Sequence, residues 1–171
     1  MNVNFLNPFV EAAYQVLEVE AGVKAERGEL AVERSACTSN DVTVMISMVG
    51  QVRGIVLYSI SEHTGIQIVS KIMGQPFAEF DQLAQSGIAE LGNVITGQAS
   101  RRLAEAGFQA DILPPTLVMG KGTLISTLDF QRLVVPLRTP LGDLLINLAL
   151  REIGDSSGGA RPPGATRTGG R

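Results

Sequence analysis

The sequence predicts an α+β fold: a single domain of two helix–strand pseudo-repeats, with a largely antiparallel sheet carrying two long helices on one face. Three observations lead there. Apolar residues recur at helical spacing in two long segments, 7–22 and 81–107. Alternating apolar segments such as "VTVMISM" are joined by short turns, the pattern of antiparallel pairing. The order helix, strands, closing hairpin also occurs twice. "VTVMISMVGQVRGIVLYSIS" parallels "LVVPLRTPLGDLLINLAL", and "NPFVEAAY" set over "SGIAELGN" places Glu11 over Glu90 and Tyr14 over Asn93. The first copy keeps the carboxylate and has lost the amide.

The first helix is expected to start at Asn7-Pro8, because Asn caps helix N-termini and Pro fits the first helical position. Phe9, Ala12, Ala13, Val16 and Leu17 then recur at helical spacing up to Gly22, a C-terminal stop. Strands are predicted at 29–36 and 42–49, and "QVRG" turns the chain into another at 55–61. A second helix covers 62–73, with Ile66, Val69, Ile72 and Met73 on its apolar face and Gly74 ending it. Gly74-Gln75-Pro76 interrupts the chain before the long helix begins near Asp81. After Gly107, "TLVMGKGTLIST" reads as a strand, a glycine turn and a second strand. "QRLVVPLRTPLGDLLINLAL" reads as a long hairpin turning at Thr139-Pro140-Leu141-Gly142.

A chain of 171 residues, 44% hydrophobic and 18% charged, suits one domain with a real core, here assigned to residues 1–153. Residues 154–171 are rich in Gly, Ser, Pro and Arg without an apolar anchor, and read as a disordered tail. Three arginines against one aspartate leave that tail at +2, so of the net −3 the body carries −5. With no basic stripe and no Trp, a nucleic-acid partner is not expected. No apolar run approaches the roughly 20 residues that span a bilayer, so no membrane association is expected either. The start, "MNVNFLNPF", lacks the basic segment and apolar block of a secretory signal. A single cysteine, Cys37, forms no internal disulfide and suits a reducing compartment, so a cytoplasmic location is expected.

The long helix has an unusual polar side. At about 100° per residue, Ala84, Ile88, Leu91, Ile95 and Ala99 share an arc of roughly 80°, a core-facing stripe. Ser86, Glu90, Asn93 and Gly97 lie nearly opposite, in an arc of about 60°. Any amphipathic helix has a polar side, and periodicity alone asks for nothing more. Two details do. Asn is a poor helix former, so a mid-helix Asn has another reason to be there. The small residues around it let another backbone approach closely. Glu90 and Asn93, at i and i+3, project together over one patch.

This segment, "SGIAELGNVITGQASRRLAEAG", resembles the signature helix of the CheC/CheX/FliY family of chemotaxis phosphatases. The family pattern is an acidic residue or Ser, three residues, Glu, two residues, Asn, and a downstream Pro. Ser86, Glu90, Asn93 and Pro114-Pro115 fill it. One intact motif, with the first helix reading "NPFVEAAYQVLE", is similar to the CheX type and not to CheC, whose two helices both carry the pair. "VSKIMGQPF" and "VMGKG" also fit the CheX type, and the resemblance covers about residues 5–152. It implies a CheC-like fold, a homodimer, and hydrolysis of the aspartyl phosphate on a phosphorylated CheY-type receiver domain. It implies no cofactor of the chain's own, with Mg²⁺ and a lysine expected on the partner receiver domain.

Phosphoryl transfer passes through a loose transition state, so a helper protein contributes chiefly positioning and charge stabilisation. A receiver that brings Mg²⁺ and a lysine lacks only a water held in line with the bond to be broken. The Asn93 amide suits that task, since it orients a water without acting as a base. Glu90, a carboxylate facing solvent, is a poor general base and is assigned a charge-assisted contact to the partner's lysine. Ser86 and Gly97 keep the partner-binding face flat. No catalysis is expected from Glu11 and Tyr14, because a phenol carries its oxygen farther from the helix than an amide does. The competing reading is a non-catalytic binding module that holds a phosphorylated receiver or assembles with a chemotaxis or flagellar-switch component.

Other candidates are weaker. "GKGT", residues 120–123, lacks the earlier glycine of a phosphate loop and joins strand to strand, as a hairpin turn would. Cys37 and His63 read as a strand-end thiol and a first-turn helix residue, not as nucleophile and base. With one histidine and no clustered His, Cys and Asp, no transition-metal site is expected.

Overall fold

The computed structural model describes residues 3–34, 36–127 and 131–154. A 3₁₀ turn, Val3–Phe5, leads into α1, Leu6–Ala21. Asn7 is therefore not the N-cap. Phe5 holds that position without a side-chain cap, and its buried ring stands edge-on to Phe108 at 5.3 Å. An aromatic anchor replaces the expected polar cap. Pro8 still falls in the first turn, where its missing N–H breaks no helical bond. Gly22 closes the helix in the left-handed conformation, φ 67°.

Of the strand expected at 29–36, the described residues form only β2 (Ala31–Glu33), and a short strand not expected, β1 (Glu26–Arg27), precedes it. They are followed by β3 (Cys37–Thr38), β4 (Val42–Gly50) and β5 (Val52–Ile60). Only Gln51 separates β4 from β5, so Val52, Arg53 and Gly54 of the expected "QVRG" turn belong to the strand. Two helices come next, α2 (Glu62–Met73) and α3 (Gln82–Glu105). The chain ends in β6 (Ala110–Ile112), β7 (Thr116–Met119), β8 (Leu124–Ile125), β9 (Arg132–Thr139) and β10 (Gly142–Glu152).

The main sheet is antiparallel and eight-stranded, in the order β1-β9-β10-β5-β4-β6, with β2 also on β9 and β7 also on β4. The two long hairpins, β4–β5 and β9–β10, meet along β5 and β10. Each long helix is followed by two short strands that cross to the other repeat. β1 and β2, after α1, line β9, while β6 and β7, after α3, line β4. The duplication read in the sequence is thus an approximate two-fold arrangement about the β5–β10 pair. Both edges break beside proline. Pro136 lies opposite the gap between β1 and β2, and Pro114-Pro115 separates β6 from β7, because proline has no N–H for a ladder.

One expected turn is different. β7 and β8 do not form a hairpin; β7 pairs with β4, and β8 pairs with β3 in a separate two-stranded sheet. Gly120 (φ 119°) and Gly122 (φ 81°) carry the chain from one sheet to the other. Their N–H groups donate to the carbonyls of Asp41 and Ser39, at 2.9 and 3.0 Å. The "GKGT" amides are thereby committed to the fold and form no phosphate cradle.

One face of the sheet points Val44, Ile46, Val56, Tyr58, Val135, Ile146 and Leu148 toward the helices, all buried. α1 and α3 cover them with Phe9, Ala13, Val16, Ile88, Ile95 and Leu103. The opposite face buries polar groups that satisfy one another. Thr43 and Ser59 share a hydrogen bond of 2.8 Å, and Arg132, 1% exposed, donates to Asn147 Oδ1 at 2.9 Å and pairs with Glu33. α2 is rotated from the expected orientation. Val69 is buried and Ile66 and Ile72 pack partly buried on the core as expected, but Thr64, Gly65 and Ile68 are buried as well and Met73 is 36% exposed. Close approaches set that rotation: a Cβ at Gly65 would come within 2.9 Å of Phe80, and one at Gly142 within 2.2 Å of Thr64. Among the described residues no helix is long and apolar enough to cross a membrane. The tail assigned to 154–171 lies, from Asp155 onward, outside the described residues.

Candidate functional site

α3 begins at Asp81, whose carboxylate caps the Ala84 N–H at 2.8 Å. Its inner side buries Ala84, Ile88, Leu91, Ile95 and Ala99 as expected, together with Gly92, Thr96 and Leu103. Gly92 lets the helix lie directly on the sheet. A Cβ there would stand 2.9 Å from Val44 and 3.2 Å from Tyr58. Thr96 Oγ1 donates to the Gly92 carbonyl at 2.8 Å, so in its 2.8 Å contact with Tyr58 it accepts the phenol proton. Burial raises the Tyr58 pKa well above the ordinary phenol range, the Thr96 hydrogen bond opposing it only in part. A neutral, hydrogen-bonded tyrosine beneath a glycine therefore locks the rotation of α3. That rotation decides which residues face outward.

Glu90 is exposed and Asn93 is half-buried. Asn93 Nδ2 donates to Glu90 Oε2 at 3.4 Å, beyond the usual range of about 2.7–3.2 Å, so the contact is weak and easily exchanged. Ser86 is exposed, and its hydroxyl turns back to the Gln82 carbonyl at 3.0 Å. Gly97 lies at the margin, beside β6. A Cβ there would meet only Ile112, at an ordinary 3.8 Å, so nothing in the fold requires glycine. Gly87 differs, since a Cβ would stand 2.7 Å from Val69. Ser100, an apparent extension of this face, is drawn away by donating to the Ala110 carbonyl at 2.6 Å. The structure thus brings Ser86, Glu90 and Asn93 together on one open side, with Gly97 at its edge.

Periodicity missed the neighbours from other helices. Val16 and Glu20 of α1 and Ile72 and Met73 of α2 join Ser86, Gly87, Glu90, Leu91 and Val94 around a cleft of about 440 Å³. The available signal was small, a glycine beside Ser86 and a methionine ending the second helix.

On the matched part of α1, Glu11 pairs with Arg102 at 3.5 Å, and Arg102 also donates to Gln15 Oε1 at 2.9 Å. Tyr14 is half-buried and packs on the core. Cys37 donates its thiol to the Ile125 carbonyl at 3.6 Å, and His63 is exposed in the first turn of α2. Neither belongs to the α3 face.

Comparison with known proteins agrees with this architecture. The sequence profile of the family described as "Chemotaxis phosphatase CheX" matches residues 42–138. The CheY-P phosphatase CheX of Thermotoga maritima is 28% identical over 128 residues, 74% of this chain and 83% of that protein. A CheC-like superfamily protein from Shewanella sp. PV-4 superposes with a TM-score of 0.81 at 28% identity, over 88% of this chain and 99% of that one. The Borrelia burgdorferi CheX–CheY–BeF₃–Mg²⁺ complex gives 0.76 at 27% identity, over 88% of this chain and 100% of that one.

Proposed function

This chain belongs to the CheX family of chemotaxis phosphatases, and on that premise we propose that it hydrolyses the aspartyl phosphate of a CheY-type receiver domain. Asn93 holds the attacking water in line with the phosphorus, and Glu90 engages the receiver's lysine. Water adds to phosphorus, the bond to the aspartyl oxygen breaks, and the water's proton leaves with inorganic phosphate. The receiver contributes the Mg²⁺.

The observation that carries this reading is the Glu90–Asn93 pair on an outward side whose orientation is locked from beneath by Gly92, Tyr58 and Thr96. The donor of the Asn93 amide rests on Glu90, which leaves its oxygen to accept from water. When Glu90 turns to a lysine, the weak 3.4 Å contact exchanges at little cost and the amide nitrogen is released as well. Gly97 supports a close docked partner, because the fold itself does not need it. A homodimer joined through sheet edges and a cytoplasmic setting belong to the same proposal, and light scattering after size exclusion reads the first.

The test is phosphate release from a receiver labelled with acetyl phosphate, with and without this protein. Acceleration by the wild type that disappears in Asn93→Ala, with binding retained, supports the mechanism. Binding without acceleration makes the chain a receiver-holding module instead.

A further inference from the structure

We propose that the cleft beside Glu90 seats a large apolar side chain of the receiver domain, next to the lysine that Glu90 engages. This rests on the reading above and adds a specificity element to it. Val16, Ile72 and Val94 wall the cleft, with Met73 at its mouth. Met73 is 36% exposed, and it lies against α3 at Gly87, where a Cβ would come within 3.2 Å of its methyl group. Leu83 is 50% exposed and two helical turns before Glu90, on the same side of α3. Apolar surface thus continues from the cleft toward the start of α3, with Glu90 at the cleft's own edge.

Charge narrows the occupant. Glu20 and Glu90 both line the cleft, so an apolar group flanked by positive charge fits and one flanked by acidic groups does not. A receiver surface that presents a lysine near its acyl phosphate meets that condition. The matched groove along α1 differs, because its carboxylate Glu11 is already paired with Arg102 at 3.5 Å and Asn7 and Glu105 add polar lining beside Pro8 and Phe108. The apolar C-terminal end of α2, Ile72 and Met73, borders the α3 cleft and not the α1 groove.

The experiment uses the full chain with Val94→Thr in the cleft wall and Met73→Gln at its mouth, neither fully buried, and thermal melts to confirm folding. Phosphate release is followed against phosphorylated receiver concentration. Each variant is expected to raise the half-saturating concentration about tenfold with the maximal rate unchanged, as for loss of an apolar anchor, and Met73→Leu to restore it. Unchanged half-saturation in both folded variants overturns the proposal, and Val94→Thr decides alone if Met73→Gln melts early. Calorimetric binding to a receiver held active by BeF₃ separates this from the catalytic reading. If the wild type binds without hydrolysis and the variants bind about tenfold more weakly, the cleft stands and the enzymatic reading falls. If the variants bind like the wild type, the cleft assignment is wrong.

Discussion

Glu11 on α1 and Glu90 on α3 hold matched positions in two halves built on one plan, yet their surroundings are opposite. Glu11 is held by Arg102, and its neighbour one turn on is the half-buried Tyr14. Glu90 has no cationic partner among the described residues, and its neighbour one turn on is an amide within hydrogen-bonding reach. Beneath them, Ala13 of α1 matches Gly92 of α3, so α3 alone has a glycine lying against Val44 and Tyr58. The α1 copy thus differs in two ordinary ways at once, an ion-paired carboxylate and a bulky ring in place of an amide. On α3 the helix is locked from beneath and the carboxylate has no cationic partner among the described residues.

The most severe test of this difference is substitution at the two matched polar positions. Asn93→Ala should slow phosphate release about 100-fold, the scale of losing the position of a reacting group, while Tyr14→Ala leaves the rate unchanged. The reverse result would place the site on the wrong half. Gly92→Ala comes next. Forcing a methyl against Val44 and Tyr58 costs about 1–3 kcal/mol, against a helix-propensity gain of about 1 kcal/mol. Thermal melts should show a loss of about 5 °C. No loss would mean that α3 is not locked by close contact.

Glu90→Gln should weaken receiver binding roughly fivefold, as an exposed charge contact would, whereas Glu11→Gln should not change it. Equal effects would erase the distinction between the carboxylates. Gly97→Ala is expected to raise stability by about 0.5–1 kcal/mol, because the site accepts a Cβ, while weakening receiver binding. Stabilisation with unchanged binding would remove Gly97 from the docking face. The smallest effect belongs to Arg102→Ala. Its bridge to Glu11 is partly exposed, so the melt should fall by less than about 1 kcal/mol with phosphate release intact.

Much of this was legible along the chain. The stripe from Ala84 to Ala99 and the opposite group of Ser86, Glu90 and Asn93 both followed from turn-by-turn spacing, which is a local property. The second helix matches its expected ends, and Ile66, Val69 and Ile72 pack on the core as expected, yet its most buried side is turned toward Thr64, Gly65 and Ile68, because Thr64 against Gly142 and Gly65 against Phe80 set it. The "GKGT" segment carried turn chemistry but no sign that its flanking strands pair with 37–45 and not with each other. The Asn7 cap was a sound local signal overridden by burial of Phe5.

By itself, then, the sequence determined the two repeats, their helices and hairpins, and which side of α3 is polar, since hydrophobic spacing and turn residues act within a few residues of each other. Only the tertiary structure decided that Arg102 closes the α1 copy and that α1 and α2 wall an apolar cleft beside Glu90. Those are meetings of distant segments, governed by side-chain fit in three dimensions and invisible to any local period.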